Sequence, residues 1–265
     1  MMVRAAMLIV SGLLAAAVDL RFADAVARDL VERSRAQIVQ AGASADLRSM
    51  ILKGRVRVPG EGSATTDGSV EIRILLPDRF LRVDTYGATE RRSGFAGDTD
   101  LSRGGRATTG SGANEGPSRR RDANAGSRAS TNLSGRSDAK TDLRRVRAEL
   151  TRLMLGLAPW APTADALVVK STGETAFADT AAVDVNGPGF SGRLVFDTTT
   201  HIPLRVVYFA EGGVSMVVSF ANRRVAGGLE LPFRITTQTP DRVLETLMLD
   251  EILVNPPLTD RDFQK

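Results

Sequence analysis

The second half of the chain, from Ala166 to Val254, is a succession of short segments in which apolar residues stand at every second position. The segments are separated by Gly, Pro, Asn and Asp, which favour turns. In Leu229–Ile235 (LELPFRI), for example, the apolar side chains alternate with Glu230 and Arg234. Alternation of this kind predicts half-buried β-strands. Seven such segments in a row predict a large antiparallel sheet with one apolar face.

Four further strands and two helices are predicted in the rest of the chain. The helices have apolar residues at helical spacing with charged residues opposite, and they span Val26–Gln40 and Asp142–Leu157. The additional strands are Met50–Val58, Val70–Leu76, Phe80–Thr85 and Arg91–Phe95. About eleven strands with two helices predict an α+β fold, a curled antiparallel sheet with the helices on one side.

The N-terminus has the pattern of a secretory signal peptide. Arg4 precedes the apolar run Ala5–Val18, which is shorter than the ~20 residues of a membrane-spanning helix. The small residues of Ala23-Asp24-Ala25 predict cleavage after Ala25, and Ala15-Ala16-Ala17 is a competing site. We therefore expect residues 1–25 to be removed and residues 26–265 to form one exported domain. Since the chain contains no Cys, we expect neither disulfides nor a lipid-modified cysteine.

Residues 100–141 differ in composition from the rest of the chain. They are rich in Gly, Ser, Ala, Thr and Asn, and they contain no aromatic residue. Eight basic residues against three acidic ones lie between Arg103 and Lys140, while the whole chain has a net charge of +4. Such a segment cannot bury enough apolar surface to fold, so we predict a disordered basic insertion. Contact with anionic lipid headgroups is an alternative role, whereas nucleic-acid binding would favour aromatic residues beside the charge.

Residues that commonly carry catalysis are scarce. The chain has a single His, His201, and no Cys. A zinc site would have to consist of carboxylates alone, which is poor zinc chemistry. The glycine-rich segments do not stand between a strand and the start of a helix, as phosphate-binding loops require. We expect no enzymatic activity, no metal and no cofactor.

The order of elements resembles that of the LolA/LolB lipoprotein carrier superfamily. Five stretches carry the resemblance: Leu76-Pro77-Asp78-Arg79-Phe80, Gly94–Asp98, Asp197–Tyr208, Gly227–Ile235, and Val254-Asn255-Pro256 with Asp262-Phe263. The resemblance implies an open antiparallel half-barrel of about eleven strands, with two main helices covering a concave side that takes acyl chains. Where the carrier family has an Arg that holds its lid closed, this chain has Leu76, which predicts an apolar pocket without that polar contact.

Two helices of about four turns each cover only part of a face built by eleven strands. An uncovered apolar face of that size usually marks an interaction site. We therefore expect an apolar ligand-binding cavity. The residues predicted to line it are Leu52, Val56, Ile72, Ile74, Leu76, Phe80, Leu153, Met154, Phe196, Met216, Phe220 and Phe233.

The sequence thus predicts a soluble periplasmic carrier that holds lipid or lipoprotein acyl chains. Its expected partners are those chains and membrane-bound donor and acceptor proteins, and we expect a monomer that binds no nucleic acid. The alternative is a non-catalytic envelope scaffold or protein-interaction module whose sheet is fully packed.

Overall fold

The structure is a computed structural model, and it describes residues 20–60, 64–102, 139–163, 165–172, 179–210 and 213–264, except for the side chains of residues 139–142. Two α-helices, α1 (Ala25–Ile38) and α2 (Ala139–Leu157), accompany a short 3₁₀ helix at Asp260–Phe263. The strands are β1 (Arg21–Phe22), β2 (Ser49–Pro59), β3 (Thr65–Leu75), β4 (Arg79–Tyr86), β5 (Thr89–Ala96), β6 (Thr99–Asp100), β7 (Val168–Ser171), β8 (Thr180–Gly187), β9 (Phe190–Asp197), β10 (Pro203–Phe209), β11 (Ser215–Ala226), β12 (Leu229–Gln238) and β13 (Val243–Val254).

All thirteen strands belong to one sheet, in the order β1-β7-β8-β9-β10-β11-β12-β13-β2-β3-β4-β5-β6. The chain builds it as two meanders that meet where β13 pairs with β2. Every pair is antiparallel except β1 with β7, which is parallel. The two ends of the sheet, β1 and β6, do not pair with each other among the described residues, so the sheet is open.

The eleven predicted strands correspond to β2–β5 and β7–β13. The two additional strands, β1 and β6, are the edges of the sheet, and each has two residues. A two-residue strand is too short to show alternation, so the sequence pattern does not predict these two. The prediction of an entirely antiparallel sheet is corrected by the parallel β1–β7 pair.

The sheet curls toward the face that carries the helices. Tyr208 of β10 and Ser93 of β5 line the same cavity, although six strands stand between β10 and β5. On α2, Arg147 binds the Gly97 carbonyl at the end of β5, and Arg152 lies over Tyr208 of β10. These two helical residues are only about 7.5 Å apart along the helix axis, whereas a flat sheet with ~4.8 Å between strands would hold β10 and β5 about 34 Å apart. The face with the helices is therefore concave, as an open half-barrel requires.

Both helices bury their apolar faces on this concave side. Helix α1 contributes Ala27, Val31 and Ile38 to the core, and α2 contributes Leu150 and Met154 among others. These side chains join the apolar rows of the strands in one large cluster of buried residues. The opposite, convex face carries a small second cluster, in which Phe263 of the 3₁₀ helix packs on Leu81 and Leu101.

Helix α1 begins at a residue that ties it to the sheet. Asp24 is the N-cap, and its Oδ1 accepts a hydrogen bond from the Ala27 backbone N–H at 2.8 Å. Its Oδ2 accepts from the Ser171 N–H of β7, also at 2.8 Å. These hydrogen bonds lower the pKa of the Asp24 carboxyl. The predicted helix, Val26–Gln40, is confirmed within two residues at either end.

Two predicted segments lie wholly or partly outside the described residues. Of the predicted signal peptide, residues 1–19 are outside, whereas Arg21–Phe22 form β1. Of the predicted insertion, residues 103–138 are outside. Asp100 belongs to β6, and the backbone from residue 139 onward belongs to α2. The elements on both sides therefore extend into the predicted 100–141 segment. Phe177, predicted to begin a strand, is also outside.

Candidate binding site under helix α2

A cavity of about 560 Å³ lies between α2 and the concave face of the sheet. We call it the α2 cavity. Its wall comes from α2, from strands β2–β5 of the N-terminal meander, from β10–β13 of the C-terminal meander, and from Ser102. It is lined by Val58, Ile72, Arg82, Asp84, Tyr86, Arg91, Arg92, Ser93, Ser102, Arg145, Val146, Glu149, Arg152, Leu153, Tyr208, Val218, Ile235, Thr237, Leu244, Glu245 and Leu247. Its volume is within the range of small-molecule sites, ~300–1,000 Å³.

One part of the lining is apolar. Buried side chains reach it from β3 (Ile72), α2 (Val146 and Leu153) and the C-terminal meander (Val218 and Leu247). They face each other because neighbouring strands bring residues of the same phase to one side of the sheet. This part can exclude water from an apolar group laid against it.

The other part contains a buried arginine held by three carboxylates, which we call the Arg82 cluster. The Nε of Arg82 donates to Asp84 Oδ1 at 2.9 Å, and its Nη1 donates to Glu149 Oε1 at 3.0 Å. Both terminal nitrogens donate to Glu245, Nη1 at 3.1 Å. Since Arg82 is on β4, Glu149 on α2 and Glu245 on β13, one side chain joins the two meanders and the helix.

Burial and charge act against each other within the Arg82 cluster. Burial disfavours the charged form of Arg82, but Glu149, Glu245 and Asp84 outweigh it and hold its pKa well above the ordinary value. For Asp84, burial dominates and raises the pKa of the carboxyl, although the adjacent Arg82 opposes this. Folding therefore favours the protonated form of Asp84 relative to the unfolded chain.

Two other arginines hold α2 to the sheet. At the middle of the helix, Nη2 of Arg147 donates to the Gly97 carbonyl and to Asp98 Oδ1, each at 2.8 Å. Near its end, the Gly156 carbonyl accepts from Arg223 of β11 at 3.4 Å. Burial lowers the pKa of Arg223 to about 10, which leaves it charged at neutral pH. Helix α2 is thus held to the sheet at three places by arginines.

The polar contact to the covering helix comes from a position other than Leu76. Leu76 is half-buried and packs against the large core. The polar contact to α2 comes from another position, Arg82 on β4, whose guanidinium reaches Glu149.

Three further arginines stand on the rim of the α2 cavity, and we call Arg91, Arg145 and Arg152 the rim arginines. The Arg152 guanidinium lies 4.4 Å from the centre of the Tyr208 ring, a cation–π contact. Tyr208 is 8% exposed, and its burial raises the pKa of its hydroxyl. Tyr86, the other tyrosine of the chain, also lines the cavity, and burial likewise raises its pKa. Both phenols are therefore protonated at neutral pH.

The structure brings the twelve predicted pocket residues together, but mostly as packed core. Of these, Ile72 and Leu153 line the α2 cavity. Leu76 is half-buried at the edge of the large cluster. The other nine are buried in that cluster against neighbouring side chains: Leu52, Val56, Ile74, Phe80, Met154, Phe196, Met216, Phe220 and Phe233. As ligand-binding residues the twelve stay a prediction, and the cavity itself lies toward the polar ends of the same strands.

The charged and aromatic residues of the cavity were not predicted, although their positions follow the same periodicity. Arg82, Asp84 and Tyr86 share the phase of Phe80 on β4. On α2, Glu149 lies three residues after Val146 and four before Leu153, and all three line the cavity. The sequence does contain a signal for this site: charged residues stand at positions where the alternation calls for an apolar, inward-facing side chain.

No helix in the described part of the chain is long and apolar enough to cross a membrane. The described residues also contain no group of three or more His, Cys, Asp or Glu side chains arranged to hold a metal ion. His201 lies in the β9–β10 turn with a φ of 54°, as a turn residue outside the cavity.

No protein-family model matches the chain, and no curated protein matches its sequence. Solved structures of similar fold do exist. A protein described as an outer membrane lipoprotein-sorting domain from Vibrio parahaemolyticus is 12% identical, over 89% of this chain and 95% of that one, with a TM-score of 0.48. A LolA superfamily protein from Nitrosomonas europaea is 12% identical, over 90% and 97%, with a TM-score of 0.48. A DUF1329 family protein from Desulfovibrio piger is 10% identical, over 90% and 96%, with a TM-score of 0.47.

Proposed function

We propose that this protein binds an acyl chain of a lipid or lipoprotein in the α2 cavity and acts as its carrier. The observation that carries the proposal is a cavity of about 560 Å³ between α2 and the open sheet, with an apolar part that buried side chains from both meanders form. A fully packed sheet would leave no such space. The function is one of holding and releasing a ligand, without catalysis.

The proposed mechanism is shielding of the chain from water. Each methylene group that moves from water into an apolar site contributes about 0.8 kcal/mol. The methylene groups lie against Ile72, Leu153 and Val218, under α2. The ligand enters at the rim, where Glu149 and Glu245 of the Arg82 cluster are partly exposed, with 27% and 23% of their side-chain surface accessible.

The setting we propose is the periplasm. It rests on the predicted signal peptide and on the absence of a cysteine that could carry a lipid anchor. In that compartment the protein would receive its cargo from one membrane-bound protein and deliver it to another, as a soluble monomer.

The alternative function is a non-catalytic envelope scaffold or protein-interaction module. It is favoured by the nine predicted pocket residues that are packed in the core. It is also favoured by Phe209 and Val214, which are 72% and 48% exposed on either side of the β10–β11 turn. In this case the α2 cavity would hold water, and the exposed turn would contact a protein.

Extraction of the purified full-length export product into organic solvent, followed by mass spectrometry, separates the two functions. The carrier is expected to release stoichiometric lipid or lipopeptide. A protein that releases none and that binds no neutral apolar dye, such as N-phenyl-1-naphthylamine, is a scaffold.

A matched pair of variants tests whether binding occurs in the α2 cavity. Leu244 lines the cavity and its neighbour Val243 is 38% exposed outside it. Leu244→Trp fills the cavity and is expected to weaken dye binding by about tenfold, whereas Val243→Trp leaves it unchanged. Equal dye affinity of both variants, each with wild-type circular dichroism, would place the dye elsewhere and contradict the proposal.

A further inference from the structure

We infer that the preferred ligand of the α2 cavity is an amphiphile with an anionic headgroup, a carboxylate or a phosphate, which the rim arginines bind. This inference rests on the proposed function and specifies the headgroup, which an acyl-chain site alone leaves open.

The first observation is an excess of unused donors at the rim. Among the described residues, Arg91, Arg145 and Arg152 form neither an ion pair nor a hydrogen bond, and Arg152 contacts the ring of Tyr208. Each guanidinium carries five N–H donors. Nothing in the described structure uses those donors, and they are suited to carboxylate and phosphate oxygens.

The second observation is that the acidic groups of the cavity are already engaged. Asp84, Glu149 and Glu245 all accept hydrogen bonds from Arg82. A cationic headgroup would have to compete with Arg82 for them. An anionic headgroup finds the rim arginines without displacing any contact of the described residues.

The third observation is a tyrosine hydroxyl at the cavity. Tyr208 is 8% exposed and lines the cavity, and its hydroxyl forms no hydrogen bond with the described residues. A tyrosine hydroxyl can donate one hydrogen bond to a ligand. Its position under Arg152 places a neutral donor beside a cationic one, so that a single anionic group can accept from both.

The spacing along α2 supports one binding surface. Arg145 and Arg152 are seven residues apart, which is about two helical turns or 10.5 Å along the axis. Residues at this interval share one face of a helix. Glu149 lies between them in sequence, but its carboxylate binds Arg82. The two arginines therefore flank the opening of the cavity and form no ion pair with Glu149.

The test compares ligands that differ only in the headgroup. Dodecanoate, dodecanol and dodecylamine, each below its critical micelle concentration, displace N-phenyl-1-naphthylamine from the full mature protein. Lauroyl lysophosphatidic acid is included as the ligand with a phosphate headgroup. Its affinity relative to that of dodecanoate distinguishes a phospholipid ligand from a free fatty acid. We expect at least one anion to bind about tenfold more tightly than the alcohol and the amine, since a charge-assisted hydrogen bond contributes about that factor.

Adjacent arginines of α2 provide a matched control. Arg145→Gln removes a rim donor, whereas Arg144 is exposed and lies against the Gly189 turn, outside the cavity. Arg145→Gln is expected to lower the affinity for the preferred anion several-fold and leave that for dodecanol unchanged. Arg144→Gln is expected to change neither.

The outcomes are distinct. If alcohol, amine and anions bind equally, or if the amine binds best, the headgroup inference is overturned and acyl-chain binding stands. Equal loss in both arginine variants also overturns it, because the effect is then one of net charge. If none of the ligands displaces the dye, the proposed function itself fails.

Discussion

Gly156 of α2 lies directly against the ring of Phe220 on β11. A Cβ placed on Gly156 would overlap that ring, and Phe220 is itself 5% exposed and enclosed by the core. Helix and sheet therefore approach each other here as closely as a glycine allows. This contact sets how deeply the C-terminal end of α2 enters the concave side.

Replacing Gly156 with Ala is expected to destabilise the protein by about 2 kcal/mol, because overpacking a filled site typically costs 1–3 kcal/mol. At an exposed helical position the same change would stabilise by about 1 kcal/mol, so the sign is diagnostic. Urea unfolding of G156A measures it. The companion variant F220L creates room and should make the additional cost of G156A smaller. A stabilised G156A would refute the close contact.

Arg82→Met is expected to cost about 3 kcal/mol at neutral pH, since it leaves three carboxylates without their cation. The matched control is Arg55→Met, which removes an exposed pair with Asp250 at 3.7 Å. Exposed pairs contribute about 0–1 kcal/mol. Chemical denaturation of both variants checks the difference. Equal stability of the two would show that the Arg82 cluster does not hold the meanders together.

The pKa of Asp84 gives the protein a pH dependence of known sign. Burial raises this pKa in the folded state above the value of 3.8, so the folded state binds the proton more strongly than the unfolded state. Stability then rises as the pH falls through the folded pKa toward 3.8. Relative to Asp84→Asn, which cannot ionise, the wild type should gain stability between pH 7 and about pH 4. Urea midpoints across this range test it, and a relative loss would mean that Arg82 outweighs burial.

The fold favours removal of residues 1–17 over removal of residues 1–25. Cleavage after Ala25 would delete β1 and the N-cap Asp24, which accepts hydrogen bonds from both Ala27 and Ser171. We expect intact-mass analysis of the exported protein to place its N-terminus at Val18. A chain that begins at Val26 should melt at least about 4 °C below one that begins at Val18. An exported N-terminus at Val26 would contradict this expectation.

Much of the architecture follows from periodicity. The strands of both meanders alternate with period two, and the register of such strands is fixed because a shift by one residue would expose the apolar row. The same pattern could not show where the core ends and the cavity begins. Phe80 and Arg82 have the same phase on β4, yet Phe80 is enclosed by the core and Arg82 lines the cavity. Whether an inward-facing residue is in the core or at the cavity is decided by its position along the strand. The boundary between core and cavity depends in turn on where α2 covers the sheet.

Irregularities in pairing also hid part of the site. Across β12 and β13, Thr237 pairs with Glu245 and Gln238 with Val243, so Leu244 is an extra residue in the ladder. A bulge of this kind changes the direction of a side chain, and both Leu244 and Glu245 line the cavity. Strict alternation along β13 would place them on opposite faces. The sequence contains no glycine or proline there that would indicate the bulge.

The two-residue strands at the ends of the sheet have a consequence for the behaviour of the protein in solution. An open sheet offers unpaired N–H and C=O groups along its outermost strands, and long free edges are templates for fibrils. In the described chain the outermost strands, β1 and β6, have two residues each, and β6 covers only Phe95 and Ala96 of β5. The rest of β5 therefore also forms part of the edge, and it carries Glu90, Arg91 and Arg92, charges that disfavour pairing with another copy. A half-barrel can therefore remain unclosed, with its interior accessible, without recruiting further copies of itself into an aggregate.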